Sequence, residues 1–189
     1  LVFAGLLVFN IFSECMLRAP NLIVTNTNFV KKVIFPLEIL PWVTLGSVLL
    51  HAVASLAIWL VFPLVLIGPP PVTALLLPLV LLPLALFSLG VSWLLAALGV
   101  YLRDIGQVTS ALTAALMFLS AIFYPLNTFP EPYRQLLLLN PLALVIEQTR
   151  EVLFWGVVPD LLTWAGGLVL ASMVAWLGFM WFQRTRWGF

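Results

Sequence analysis

From Ile39 to Leu102 the chain carries no Asp, Glu, Lys or Arg. Only GPPP, Gly68 to Pro71, divides that stretch, giving two apolar runs at about 39–67 and 72–102. A helix needs about 20 mostly apolar residues to cross the hydrocarbon core of a bilayer, and each run exceeds that. Of the 189 residues, 63% are hydrophobic and 8% charged. A soluble domain carries about 25% charged residues, so this chain cannot supply a solvated surface. It reads as an integral membrane protein. Transmembrane strands are excluded, because they run to about ten residues with alternating polarity, whereas these runs are apolar on all sides.

Three further spans are expected, at about 1–24, 105–123 and 161–182. The first holds Glu14 and Arg18, four apart and acid first, a spacing that allows an ion pair on one helix face. Pro41 suits the first turn of the second span, and Pro78 and Pro83 are expected to kink or tilt the third. The fold class is therefore all-α: a polytopic transmembrane helical bundle of five spans in one domain, 1–189, with no soluble domain, linker or repeat. The opening LVFAGLLVFN has no initiator Met and no basic flank. It is expected to begin inside the membrane, with one more span upstream.

Basic residues set the orientation. With Lys31 and Lys32 in the cytoplasm, the Gly68–Pro71 turn is external, Arg103 is internal, 124–160 is external, and the tail with Arg184 and Arg186 is cytoplasmic. Only Arg134 and Arg150 then lie outside.

Both lysines of the chain stand together in NTNFVKKVIFPLEILP, 26–41. Asn26 or Thr27 can cap a short helix. Phe29, Val30, Val33, Ile34 and Leu37 share one face of it, while Lys31 and Lys32 point away. That pattern describes an amphipathic helix at the inner membrane surface, about 26–37, ended by Pro36. Glu38 suits the positive end of the following span. Two readings stand side by side: a basic anchor, or a docking helix that a cytoplasmic partner pushes on. Tyr101 and Arg103 suit an interfacial anchor, and Asp104 with Gln107 has capping-box spacing.

The stretch 124–155 holds more than a connector needs. Tyr124-Pro125 stops the fourth span. Phe129-Pro130 begins a short helix, 131–139, and Asn140-Pro141 begins a second that runs to about Trp155. Two apolar half-helices are expected to dip back into the outer half of the membrane, buried against protein. Glu147 and Arg150, three apart, can pair, whereas Glu147 and Glu151 would repel if both were charged. His51 is either a proton relay or a neutral His bonded to a neighbouring helix. No second His and no matching intramembrane acid is expected beside it, Glu14 being a weak candidate near a membrane end. Most tryptophans sit near span ends, as an aromatic belt requires. Trp59 and Trp93 lie deeper and are the candidates for stacking on sugar rings in a conduit. There is no G-x-x-x-x-G-K-[ST] phosphate loop, no His/Cys metal cluster and no nucleophile–base–acid set.

Four stretches in order, AGLLVFNIFSECMLRAPNLI, N-x-N-F-V-K-K-V-I-F-P-L-E-I-L-P, YLRDIGQ and YPLNTFPEPYRQLLLLNPLALVIEQTREVL, resemble the permeases of type 2 ABC exporters. The subgroup most like them exports O-antigen, capsule and teichoic-acid polymers. The resemblance implies six spans per permease, a permease homodimer and two cytoplasmic ATPase subunits in a bacterial inner membrane. It implies that ATP and magnesium belong to those subunits, that this chain is not itself an enzyme, and that it binds no metal and no nucleic acid. The cargo it implies is a lipid-linked glycan or polyol-phosphate polymer, handed on within membrane lipid. Asn28, Phe29, Val30, Lys31, Lys32, Phe35, Pro36, Glu38, Arg103 and Asp104 are the implied coupling residues. Tyr124, Pro125, Phe129, Pro130, Asn140, Pro141, Glu147 and Arg150 are the implied external gate. The alternatives are a permease for drugs or lipids, or a membrane scaffold or lipid-linked sugar transferase.

Overall fold

The computed structural model describes residues 2–26, 36–66, 71–102, 104–120, 122–123 and 140–186. Among these residues every regular element is helical. Helix α1 spans Val2–Arg18, bends through a 3₁₀ turn at Ala19–Asn21 and continues as α2, Leu22–Thr25. Pro20 sits in the first turn of that 3₁₀ segment, where its missing N–H has no intrahelical partner to lose. Helix α3 spans Ile39–Leu66. A 3₁₀ turn, Val72–Leu76, leads into α4, Leu77–Tyr101. Then come α5, Ile105–Leu119, α6, Pro141–Arg150 with a π-helical turn Glu151–Trp155, and α7, Leu161–Thr185.

Among the described residues four segments are long and apolar enough to cross a membrane: Val2–Thr25, Ile39–Val61, Val72–Tyr101 and Leu161–Thr185. The chain is a multi-pass membrane protein with an all-α bundle fold. The segment expected to span 105–123 forms a helix of 15 residues, Ile105–Leu119. At 1.5 Å rise per residue that is about 22 Å, short of the ~30 Å hydrocarbon core. Pro78 does not kink α4, because it occupies the first turn of the α-helix, and only Pro83 lies inside it.

Helix α1 is the centre of the bundle. Of its span 61% is buried, against 17% for the spans of α3 and α7, so α1 is a core element while the other two line the outside. It packs on α3, α4, α5 and α6. The face offered by Leu50, Ile58 and Val65 on α3 and by Trp176 on α7 is apolar and exposed, as a lipid-facing surface should be.

The most extensive pairing is between α4 and α7. Lipid tails are as apolar as leucine, so helices in a bilayer associate through close packing more than through hydrophobic burial, and small residues permit the closest approach. Gly90 of α4 and Gly178 of α7 face each other across this crossing: a Cβ on Gly90 would stand 2.6 Å from the Val174 carbonyl, and one on Gly178 would run into Gly90 itself. Gly99, further along α4, meets the Pro20 backbone in the same way. Glycines on one helix thus fasten it to both α7 and the bend after α1.

Gly178→Ala is expected to lower the thermal midpoint of the detergent-solubilised protein, as overpacking costs about 1–3 kcal/mol. Gly166→Ala and Gly167→Ala, in open space on the same helix, should leave the midpoint unchanged or raise it. Differential scanning fluorimetry of the three variants makes the comparison.

Candidate functional site

Among the described residues polar chemistry collects at the α6 half-helix, at the end of the bundle where α3 begins and α7 ends, and in a groove between α1 and α3.

Helix α6 starts as its sequence dictates. Asn140 has extended backbone, its Oδ1 accepts from the Leu142 N–H at 3.0 Å, and Pro141 fills the first helical position. The same Asn140 reaches across the bundle. Its Nδ2 donates to the Ser120 hydroxyl at 3.2 Å and to the Leu119 carbonyl at 3.3 Å, both at the end of α5. Helix α5 leaves its last carbonyls unpaired by its own backbone, and Asn140 satisfies one of them. The helix N-cap and the neighbouring helix C-terminus are therefore tied by one side chain.

At the other end of α6, Arg150 is 2% exposed. Its Nη1 donates to Glu147 Oε2 at 3.2 Å, and its Nη2 donates to the Ile122 carbonyl at 2.6 Å. A guanidinium buried this deeply is tolerated only when paired and hydrogen-bonded, and it is both. Gly5 of α1 also approaches Ile122 closely, and a Cβ there would lie 3.0 Å from the same carbonyl. The chain just after α5 is thus held between α1 and Arg150. Thr149 and Gln148 are also buried, and Thr149 is satisfied by donating to the Val145 carbonyl at 2.7 Å.

The π-helical turn continues α6 to Trp155 and closes on Gly156, whose φ of 66° is the left-handed conformation that glycine adopts without strain. Thr73, before α4, donates to the Val152 carbonyl at 2.8 Å. Phe154 meets the edge of Trp59 at 5.3 Å, and Trp59 stacks flat on Phe3 at 4.7 Å. Trp59, expected as a conduit aromatic, joins α1, α3 and the π-turn through these contacts. A cleft of about 380 Å³ separates α6 from α7, lined mainly by apolar side chains that include Leu144, Phe87 and Leu170, so α6 is packed on its α1 side and open on the other.

Carboxylates crowd the end of this segment. Burial, then the neighbouring Glu147 and Asp160 carboxylates, push the Glu151 carboxyl above its ordinary range. Asp160 caps α7, accepting from the Leu162 and Thr163 N–H groups, and hydrogen bonds from Thr163 and Leu162 hold its carboxyl below the usual range.

At the opposite end, Trp93 is 6% exposed, with Trp42 and Phe179 edge-on at 6.1 and 5.1 Å and its N–H donated to the Glu38 carbonyl at 3.1 Å. Its ring and its donor both have partners inside the bundle. The Glu38 carboxylate accepts from Arg186 at 3.2 Å. Asp104 begins α5, but the expected capping box is corrected. Its backbone is helical and its side chain makes no cap bond, so its carbonyl alone receives the Gln107 and Val108 N–H groups. Pro36 accepts the Ile39 N–H through its carbonyl and leads into α3. Of the other expected coupling residues, Asn28, Phe29, Val30, Lys31, Lys32, Phe35 and Arg103 lie outside the described residues, as do Tyr124, Pro125, Phe129 and Pro130 of the expected gate.

The expectation that no acid accompanies His51 is also corrected. Glu14 Oε1 lies 3.7 Å from His51 Nδ1 and also pairs with Arg18. Packing of α1 beside α3 brings residues 14 and 51 together, which spacing along the chain cannot show. They border a groove of about 600 Å³ that also takes in Asn10, Ser13 and Ser55.

Arg150→Ala is expected to destabilise the protein by about 3–5 kcal/mol, because it strands a buried carbonyl and a carboxylate; chemical denaturation in detergent measures this. Glu151→Gln should act in the opposite direction, and only at neutral pH. A carboxyl raised in the folded state favours folding below its ordinary value of 4.5 and loses that contribution as pH rises through the folded value. Glutamine never ionises, so the variant should melt higher at pH 7 and match the parent below pH 4.5.

Residues 1–154 match the family described as ABC-2 type transporter, membrane part. The chain is 30% identical over 161 residues to the O-antigen export system permease protein RfbA of Myxococcus xanthus, which covers 84% of this chain and 62% of that protein. It is 25% identical over 136 residues to RfbA of Klebsiella pneumoniae, 71% of this chain and 52% of that one. It is 32% identical over 77 residues to the polysialic acid transport protein KpsM of Escherichia coli, 41% of this chain and 30% of that one. The chain thus spans between about half and three-fifths of the O-antigen permeases it matches. With an all-α bundle of apolar spans and a family match running from the first residue to the π-turn, the chain belongs to the ABC-2 type transporter family of membrane proteins.

Proposed function

We propose that this chain is the membrane-spanning permease of an ATP-driven exporter that moves a lipid-linked polysaccharide or polyol-phosphate polymer across a bacterial inner membrane. The observation that carries the reading is its likeness, over 84% of its length, to an O-antigen export permease. Family membership supports a cytoplasmic ABC ATPase as partner, and ATP with magnesium would bind there. In this reading two permeases and two ATPases assemble, with the C-terminus of the permease cytoplasmic.

The reading divides the labour between two segments. The sequence pattern supports the segment 26–37, with Phe29, Lys31 and Lys32, as the surface on which the ATPase would push, with Arg103 and Asp104 at the next cytoplasmic turn. The 124–155 segment is the external gate. Its half-helix α6 starts beside the last turn of α5 and runs on to meet Thr73 and Trp59, held on one side by α1 and open on the other. A half-helix anchored at its ends through Asn140 and Arg150 and flanked by a cleft has both a fixed hinge and room to move. Broken helices of this kind border translocation paths in other transporters.

Co-purification of the full-length tagged protein in mild detergent, with mass spectrometry, tests the reading. A stoichiometric ATPase with a phosphate loop is expected. Its absence across several detergents, with the neighbouring genes expressed, would overturn the exporter class. Changing Phe29, Lys31 and Lys32 together to Ala should weaken recovery of the ATPase about tenfold, as loss of a small hot-spot cluster does, while the permease stays folded by gel filtration.

A further inference from the structure

The groove between α1 and α3 carries polar groups at a depth where a lipid-facing helix should have none. Glu14 falls near the middle of the 24-residue span Val2–Thr25, and His51 near the middle of the 23-residue span Ile39–Val61. Glu14 meets His51, and Phe3 meets Trp59, so the two helices run antiparallel. Asn10, Glu14 and Arg18 recur every four residues on α1, and His51 and Ser55 do so on α3. A spacing of four keeps side chains on one helix face. All five line the same groove of about 600 Å³, within the range of about 300–1,000 Å³ common to ligand sites. The His51 side chain is 64% exposed and that of Glu14 31%, and Asn10 and Ser55 are exposed as well. The Asn10 amide and the Ser55 hydroxyl make no hydrogen bond among the described residues. An ionisable side chain at mid-membrane is costly against lipid tails and belongs beside protein or a water-filled space. Another face of α3, with Leu50, Ile58 and Val65, is apolar and suits lipid. The face with His51 and Ser55 does not.

We propose that the α1–α3 groove is a glycan contact site, at which Asn10, Glu14, His51 and Ser55 hydrogen-bond sugar hydroxyls of the polymer in transit. The inference rests on the exporter reading for the presence of that polymer. The chemistry of the groove selects the ligand class. Arg18 pairs with Glu14 and offsets its charge, so the groove is not built around a surplus of either sign. It offers a carboxylate that accepts, together with amide, imidazole and hydroxyl groups that both donate and accept. Each sugar hydroxyl is also a donor and an acceptor and matches that set, whereas a hydrocarbon chain satisfies none of it. The simpler account is that Glu14 serves only to pair with Arg18 one turn away. That account leaves His51 across the groove and the unbonded Asn10 and Ser55 without a role.

The test uses the full-length tagged permease with its ATPase, in source cells from which the native permease gene has been deleted. A benzophenone amino acid replaces Ser55 by codon suppression, and irradiation of the cells captures what lies in the groove. The purified permease is stained for glycan by periodate oxidation and biotin-hydrazide, and its adducts are identified by mass spectrometry. Glycan-bearing permease is expected with the probe at Ser55 and not with the probe at Ile58, on the apolar face. With the probe at Ser55, Asn10→Leu together with Glu14→Leu should lower the glycan captured per permease about tenfold, the scale of losing two hydrogen bonds. Asn10→Ser together with Glu14→Gln, which keep polar groups, should hold it near the parental level. If the leucine pair does not accumulate in the membrane, Asn10→Leu alone takes its place and should act in the same direction. Capture of lipid only, of a second copy or of another part of the permease would overturn the inference. So would equal glycan capture at the two probe positions, or no difference between the leucine and polar variants. If deletion of the permease gene leaves surface glycan unchanged, or the parent recovers no ATPase, the exporter reading fails and takes the inference with it.

Discussion

The crossing of α4 and α7 at Gly90 and Gly178 is the constraint on which the rest of this bundle depends. Between helices in lipid there is little hydrophobic driving force, so a chain of apolar spans needs sites where two backbones can touch. This one places a glycine on each helix at the point of contact. Helix α4 then reaches the bend after α1 through Gly99, and α1 fills the centre. A side chain at any of these positions would push the backbones apart at the point of contact.

The polar groups follow from that frame. In an apolar interior a charge is expensive unless it is bonded, and the buried Arg150 and the Glu38–Arg186 pair meet that cost with partners on other elements. Arg150 holds Glu147 and the Ile122 carbonyl, and Arg186 holds Glu38. These pairs fall at opposite ends of the molecule, one set at the half-helix and one where α3 begins and α7 ends.

Much of the half-helix was legible from its residues. Asn140-Pro141 marks a helix start because a cap side chain and a proline at the first position act within three residues of one another, and the Oδ1 bond to Leu142 follows. The Glu147–Arg150 pair was legible for the same reason, being one turn apart. What the spacing did not reveal was where Arg150 sits. An exposed pair and a buried one have the same sequence, and only the approach of Ile122 makes Arg150 a structural anchor. The Asp104–Gln107 pattern misled in the opposite way. It has capping-box spacing, but the Asp104 backbone is already helical, so its carboxylate has no geometry for the bond.

By itself the sequence determined what depends on near neighbours: that the chain is helical and membrane-embedded, where most of its helices begin, and which residues cap them. Length and charge suffice for that, because hydrogen bonds within a helix and its caps are local. The tertiary structure alone decided which faces meet. These spans are apolar all round and show no strong stripe from which a buried side could be read. The Gly90–Gly178 crossing, the Glu14–His51 approach, the Trp93 bond to Glu38 and the Glu38–Arg186 pair, separated by up to 148 residues, therefore come into existence only when the helices are placed side by side.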